Sequence, residues 1–470
     1  MFSAKGGVTV VQRLIGWLAV FALIAGLVLD LGATWLIVEV ALGTIFGAII
    51  LLRIIAAAFS RLTLPASPEP LPDRELETIT YLVPLKDEAN IVASLIEAIG
   101  RIDYPRNKLD VKLLIEADDH RTMAAAVAAD PPSWFEILPV PPGEPRTKPK
   151  ALNYGLHFAR GSIIAILDAE DHPAKDQARV AAAALKQGGP DLAVVQAPLV
   201  IHNGRDGWLA RQFEIEYAIH FALWLPLLAR LGIPLPLGGT SNYFRRDWLE
   251  KAGGWDAWNV TEDADIGLRL ARFGGRSATI TPPTHEEAPA RMTPWLHQRT
   301  RWMKGHLQTW LVLTRQPFKA ARGMGWAAFL ATQLTFGGAL LASIMHLPLF
   351  VFIIYSAATI TFETWHAVLF GVGYSSVIVA AFFAKARHAN AWTLLTVPAY
   401  WILLSLAMLR ALIHMKQWPT LWEKTPHGKP SLPVSPARQV VVTPAQHGDN
   451  VIQLEFQFDD LDRADGKPRR

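Results

Sequence analysis

Cysteine is absent from all 470 residues, so neither disulfides nor thiolate metal sites contribute to the fold or the chemistry. Charge is scarce as well. Only 18% of residues are Asp, Glu, Lys or Arg, against about a quarter in ordinary soluble domains. The net charge of +4 is too small for polyanion binding to explain the whole chain, and no nucleic-acid partner is expected. No internal repeat is visible, which excludes a repeat array. What is abundant is apolar: 51% hydrophobic residues, 17 Trp and a mean hydropathy of +0.22. Part of the chain therefore belongs in a lipid bilayer, and a mild basic excess beside apolar segments fits the cytoplasmic face of a membrane.

Two apolar segments open the sequence, Leu14–Leu29 and Leu31–Leu52, joined by a turn at Asp30 to Gly32. Arg13 and Arg53 flank the pair, so both ends are expected on the cytoplasmic side. No small-residue cleavage site separates the two segments, which argues against a removable leader. Residues 1–60 thus read as two membrane helices and 61–77, with Pro65, Pro68, Pro70 and Pro72, as a semi-rigid linker.

From 78 to 290 short β-rich runs ("TITYLVPL", "VKLLIEAD", "SIIAILDAED", "LAVVQAPLVI") alternate with helical stretches. Such alternation predicts an α/β domain with a mostly parallel sheet, whose ligands sit at the carboxyl ends of the strands. Residues 291–324 are expected to lie at the membrane interface. Residues 325–414 read as four membrane helices near 326–345, 347–363, 366–384 and 392–413, the first break falling at "HLP", His346 to Pro348. The remainder divides into a segment 415–430 and a polar tail 431–470.

Three acidic clusters fall in the α/β region. "IEADD" and "LDAED" close strands, while "VTEDADIGLRL" opens a helix. Each alone is compatible with a turn or a helix cap by Thr261. Three at the ligand-facing end of one sheet would repel unless a cation or a reaction needs them. Glycosyl transfer from a nucleotide sugar is such a reaction. A carboxylate-held Mg²⁺ or Mn²⁺ neutralises the leaving diphosphate, and another carboxylate takes the proton of the attacking hydroxyl. "RTKPKALN" adds cations ahead of a helix start, suited to phosphate. In "LHQRTRWMKGH", Gln298, Arg301 and Trp302 have i, i+3, i+4 spacing. One helix face would then offer an amide and a guanidinium to the diphosphate, with a flat indole for a sugar ring.

This order of an acidic strand end, a D-x-D-like cluster, T-E-D and Q-x-x-R-W resembles the membrane-integrated family 2 glycosyltransferases, which include cellulose, curdlan, chitin and hyaluronan synthases. The resemblance covers roughly Thr78 to Trp310 and the flanking helices, and it implies a GT-A-type catalytic domain inserted between transmembrane helices. It places Pro84, Glu88, Glu116, Asp118, Lys148 and Asp168 on the nucleotide side. Asp168 with Glu170 or Asp171 would hold the metal, since "DAED" lacks an Asp-x-Asp and leaves the second ligand open. Asp263, beside Glu262, would be the catalytic base. Gln298, Arg301 and Trp302 would serve the diphosphate and the acceptor. Gly238, Gly239 and Thr240 in "GGTSNYF" would line the acceptor end.

"WEKTPHG" looks like the gating-loop motif of cellulose synthases, through Trp422, Thr425 and His427, with His427 where the family usually has Lys. Because that loop is cytoplasmic, four later spans are expected in place of three. The implied activity is processive synthesis of a β-linked polysaccharide at a bacterial inner membrane from a nucleotide sugar, UDP-glucose or a related UDP-sugar. The partners are the donor, the growing glycan, the bilayer and, where export demands it, a periplasmic protein. A single-addition transferase acting on a lipid keeps the same chemistry. A transporter or scaffold with a nucleotide-binding domain is the reading from another class.

Overall fold

The computed structural model describes residues 2–63, 65, 67–359 and 363–421. Two long helices lead, α1 (Val10–Leu29) and α2 (Leu31–Ala58). Asp30 joins them and accepts a hydrogen bond from the Ala33 amide, so it caps α2. The α/β domain follows. Strands β1 (Ile79–Leu85), β2 (Leu109–Glu116), β3 (Phe135–Val140) and β4 (Ile163–Ile166) alternate with helices α3 (Val92–Gly100), α4 (His120–Ala128) and α5 (Lys148–Leu156). Then come β5 (His172–Pro173), α6 (Gln177–Gln187), β6 (Leu192–Gln196), β7 (Leu199–Ile201) and α7 (Trp208–Ile219). The domain closes with β8 (Asn242–Arg245), α8 (Glu262–Arg272), β9 (Arg276–Thr279) and β10 (Thr284–Glu286).

The main sheet has the order β3-β2-β1-β4-β8-β6-β9. It is parallel except for β8, which runs antiparallel between β4 and β6. β1 and β2 are buried along nearly their whole length, which is why they read as continuous apolar runs. A small sheet, β5-β10-β7, flanks the first. Two apolar layers cover the two faces of the main sheet, one around Ile79, Val111 and Tyr243, the other around Leu82, Phe244 and Trp255. The architecture is the expected GT-A-like fold, with the acidic strand ends at one edge.

Beyond the domain lie α9 (Met292–Thr314), α10 (Pro317–Met324), α11 (Trp326–Ala358), α12 (Thr364–Phe383) and α13 (Val397–Gln417). Among the described residues α1, α2, α11, α12 and α13 are long and apolar enough to cross a membrane. The expected break at His346 to Pro348 does not form, and three long helices stand where four were predicted. Pro348 lacks an N–H and disturbs the preceding turn. The disturbance is absorbed by Ser405 of α13, whose hydroxyl donates to the Ser343 carbonyl (2.7 Å) and accepts from the Leu347 amide (3.1 Å).

The end of α12 rests on the α/β domain, where the His388 amide and ring both engage Glu214 of α7. Both ends of α13 also rest there. Gln212 donates to the Thr393 carbonyl and Trp208 to Thr396. At the other end Lys304 donates to the carbonyls of Trp418 and Leu421, and Gln308 to that of Pro419. Helix α13 therefore packs along both α9 and α11, with its first end tied to α7 and its last end to α9. The loop that carries Lys385 and Arg387 meets the domain through His388, and the chain at Leu421 meets α9. Trp422, Thr425 and His427 lie outside the described residues.

Candidate active site

The site is assembled around Gly239. A β-carbon on this glycine would lie 3.3 Å from Asp263 Oδ2 and 3.8 Å from both Asp168 Oδ2 and Lys148 Nζ. Three residues far apart in sequence thus meet around one glycine that only the absence of a side chain keeps open. Lys148 arrives on the first turn of α5, followed at once by Pro149, whose fixed φ suits that position. Its ammonium pairs with Asp168, donates to the Gly239 carbonyl at 2.7 Å and lies 3.9 Å from Glu262. Those carboxylates hold its pKa above the ordinary lysine value although burial opposes them.

Asp263 and Glu262 open α8, whose positive end favours acids. Thr261 does not cap this helix. Its amide donates to Asn259, and the Ala264 amide is taken by Asp263 Oδ1 at 2.8 Å. Burial raises the Asp263 pKa above its ordinary value, and Lys148 and Arg301 pull against that shift. Burial lifts Glu262 to about 7, opposed by Lys148 and reinforced by Asp263. The preceding loop is held from below by α9. There Gln308 accepts from the Val260 amide, Thr309 accepts from Asn259, and Gly305 lets α9 approach Thr261.

One cavity of about 1000 Å³ contains this site. Pro84, Glu88, Glu116, Lys148, Asp168 and Glu170 line its nucleotide side, and Gly238, Asp263, Gln298, Arg301 and Trp302 its other side. Glu116 is paired with Lys150 at 3.2 Å, and the Glu88 amide is held by Thr122. Asp118 stands apart. Its side chain is 50% exposed and paired with Arg146, whose bond holds it below the ordinary carboxylate value. Asp118 does not line the cavity, although Arg146 does.

The "DAED" loop separates the last two of its three acids. Glu170 faces the cavity. Asp171 is buried and supports the loop from within, accepting from the Asp168 amide and pairing with the Thr240 hydroxyl. Burial first, then Asp168 and Glu170, push its pKa well above the ordinary value. Thr240 is likewise buried behind the loop. One Asp171 oxygen, Oδ1, is buried without a partner among the described residues. A further acid that the sequence reading missed, Glu286 of β10, lines the same space. Burial and then Asp171, Glu170 and Asp168 hold it well above its ordinary value. Its only signal in the sequence was the pair Glu286–Glu287 in the stretch TPPTHEEAP.

Among the described residues no three His, Asp or Glu side chains form a set that holds an ion alone. Asp168 and Glu170, two carboxylates that line the same cavity, nevertheless fit a Mg²⁺-like ion of the kind held by one or two carboxylates and completed by substrate phosphates. Asp168 and Glu170 are the side chains placed to hold it.

The family model for glycosyl transferase family group 2 matches residues 163–418, more than half of the chain. The chain belongs to that family. Among curated relatives, a probable glycosyltransferase, YdaM, of Bacillus subtilis (strain 168) is 28% identical over 258 residues, 53% of this chain and 60% of that one. The beta-monoglucosyldiacylglycerol synthase of Synechocystis sp. (strain ATCC 27184 / PCC 6803 / Kazusa) is 24% identical over 274 residues, 56% of this chain and 55% of that one. The chain thus spans between a half and three fifths of these relatives' lengths. The catalytic subunit of cellulose synthase 1 of Komagataeibacter xylinus is 26% identical over 281 residues, 53% of this chain and 33% of that one. In fold, the chain is similar to the mannosyltransferase PcManGT from Pyrobaculum calidifontis. The TM-score is 0.52 at 21% identity, covering 78% of this chain and 98% of that structure.

Proposed function

We propose that this glycosyltransferase is a membrane-bound, inverting hexosyltransferase that extends a β-linked glycan from a UDP-sugar and passes the product between its own helices. The observation that carries this reading is the single cavity that runs from Asp263 to Trp35 and Glu39 of α2, Phe350 of α11 and Tyr374 of α12. A hydroxyl reaching Asp263 from the membrane side meets an acid whose raised pKa suits proton acceptance near neutral pH. As its oxygen bonds to the anomeric carbon, the proton passes to Asp263. The bond from that carbon to the diphosphate breaks in the same displacement, and one such step inverts the configuration. Lys148 and Arg301 face the departing charge. A bound Mg²⁺ or Mn²⁺, held by Asp168 and Glu170, would neutralise part of the diphosphate charge.

Arg53, together with Lys385 and Arg387 in the loop that meets the domain, supports a cytoplasmic catalytic domain at a bacterial inner membrane. A second reading is transfer of one sugar to a lipid, favoured by the aliphatic residues of the cavity wall such as Leu42, Ile49, Leu340 and Leu369. The test is a screen of radiolabelled UDP- and GDP-sugars with purified protein, followed by linkage and size analysis. Polymeric product supports extension, whereas a single sugar on a lipid replaces it with the second reading. Failure to consume any sugar nucleotide would leave only a binding or transport role.

A further inference from the structure

The loop that delivers the T-E-D motif is held by a chain segment that lies outside the cavity. Residues 2–7 precede α1 and fold back onto loop 253–261. Asp256 of that loop is 6% exposed and does not line the cavity. A buried carboxylate has to be met by donors. Its Oδ1 accepts the Ser3 hydroxyl at 2.7 Å and the Trp258 amide at 3.1 Å, and its Oδ2 accepts the Ala4 amide. Ser3 and Ala4 sit 253 and 252 residues earlier in the chain.

The segment is itself fastened. Arg315, at the end of α9, donates through Nη1 and Nη2 to the carbonyls of Ser3 and Gly7, each at 2.7 Å. Phe2 packs against Phe273 with 5.7 Å between ring centres, and the Arg272 guanidinium lies 4.5 Å from the Phe2 ring. The Gln12 side chain of α1 donates to the Leu311 carbonyl of α9 at 2.7 Å. Residues 2–7 are therefore a strap that joins the first membrane helix and the end of α9 to the loop.

From Asp256 a short relay of hydrogen bonds reaches the catalytic carboxylates. The Asp256 carbonyl accepts the Asn259 amide at 3.0 Å, and Asn259 Oδ1 accepts the Thr261 amide at 3.0 Å. The Thr261 carbonyl accepts the Asp265 amide at 3.3 Å, with Glu262 and Asp263 between the two. Thr147 and Asn153 hold the other side of the loop, at the Ala257 carbonyl and at the amide and carbonyl of Trp255. Those bonds do not involve the strap, so part of the loop stays tied when the strap is altered.

We infer that Asp256 is a positioning residue for the base Asp263, held in place by the strap through Ser3 and Ala4. This role rests on the reading of Asp263 as the base. Asp256 acts through the loop, by keeping Asp263 beside Lys148 and Arg301. A misplaced base slows the chemical step, while the donor's own contacts are untouched.

The test uses the full-length protein in nanodiscs. UDP release from UDP-glucose reads kcat and KM. Hydrogen exchange followed by mass spectrometry reads the amides of residues 256–265 whether or not the enzyme turns over. Ser3→Ala removes one donor to Asp256 and Ser3→Thr keeps it. Asp256→Asn keeps the size of the side chain and leaves one acceptor oxygen in place of two. Lys5→Gln removes an ammonium 4.8 Å from the Trp258 ring, a contact of the strap that bypasses Asp256, and serves as the control. The expected result is a kcat about tenfold lower in Asp256→Asn and severalfold lower in Ser3→Ala. The KM for UDP-glucose should stay within about twofold, and Ser3→Thr and Lys5→Gln should stay close to wild type. Exchange over 256–265 should quicken severalfold in the two impaired variants and nowhere else in the catalytic domain. Unchanged kcat or unchanged exchange in Asp256→Asn and Ser3→Ala overturns the positioning role. So does an equal loss in Ser3→Thr or Lys5→Gln, or exchange that quickens throughout the domain. If the wild type releases UDP from no sugar nucleotide, the proposed function fails, and exchange alone decides whether the strap holds the loop.

Discussion

The Lys148 ammonium donates to the Gly239 carbonyl at 2.7 Å while pairing with Asp168. One side chain on α5 thereby joins the loop after β4 to the glycine pair that precedes β8, and it does so within reach of Glu262. Removing it breaks that junction and leaves the buried Glu262 and the partly exposed Asp168 without their cation. Lys148→Met should lower kcat/KM for the sugar nucleotide by about 10²–10³-fold, measured as UDP release. A variant within threefold of wild type would remove Lys148 from the donor site.

Asp263 is expected to carry the proton transfer. Asp263→Asn keeps size and packing, and should cut polymer or glycoside formation by about 10²–10⁴-fold. Donor binding, followed by calorimetry with UDP, should persist. Persistent turnover would assign the base elsewhere.

The pH dependence has a definite sign. The active base is the ionised form, and burial places its pKa above the ordinary carboxylate value. Activity must therefore fall as pH drops through that raised value, with an acid limb displaced toward neutrality. Glu262, raised from 4.5 to about 7, repels the same charge, and the two titrate as a pair. Glu262→Gln removes that repulsion and should move the acid limb to lower pH. Stability carries a matching signature. The native state binds more protons than the unfolded chain between pH 4.5 and about 7. The stability that neutral Glu262 provides is thus lost as pH rises through that window. Thermal melts of Glu262→Gln should fall less between pH 5 and pH 8 than those of wild type, and parallel curves would contradict the assignment.

Much of this site could be read in the sequence because strand ends and motif spacing are local properties. A parallel sheet sends its carboxyl ends to one edge, which places Asp168 after β4 there, while Asp263 is brought to it by the loop that opens α8. What lay beyond reach depended on partners distant in sequence. Nothing near Pro348 announces that Ser405 will bridge the weakened turn of α11. The apolar stretch of α13 is the same whether a helix crosses a bilayer or lies on a domain. Nor does the sequence show that Lys304 and Gln308 of α9 hold the carbonyls of Trp418 and Pro419 at its end. Glu170 and Asp171 are likewise indistinguishable by type, and the buried Thr240 hydroxyl sends one of them inward.

Metal dependence follows from the same loop. Chelation with EDTA should abolish sugar transfer, and Mg²⁺ or Mn²⁺ should restore it. Glu170→Gln should raise the concentration of metal needed for half activity by about 10-fold or more. Asp171→Asn should instead lower the melting temperature, because its carboxylate holds the Asp168 amide and Thr240. Equal metal titrations for wild type and Glu170→Gln would exclude Glu170 as a ligand.

The contact between α9 and the T-E-D loop makes the most local prediction. A β-carbon at Gly305 would lie 2.4 Å from Thr261 Oγ1 and 2.7 Å from the Thr261 amide nitrogen, closer than atoms can approach. The amide cannot move without carrying Glu262 and Asp263 with it. Gly305→Ala should therefore cost about 1–3 kcal/mol of stability and reduce kcat by a larger factor than the melting temperature alone would suggest. Gly100→Ala, at the end of α3, meets nothing within 4 Å and serves as the control, with stability and rate close to wild type. Thermal denaturation and UDP release on the two variants decide the matter. If Gly305→Ala behaves like Gly100→Ala, α9 does not fix the position of Asp263.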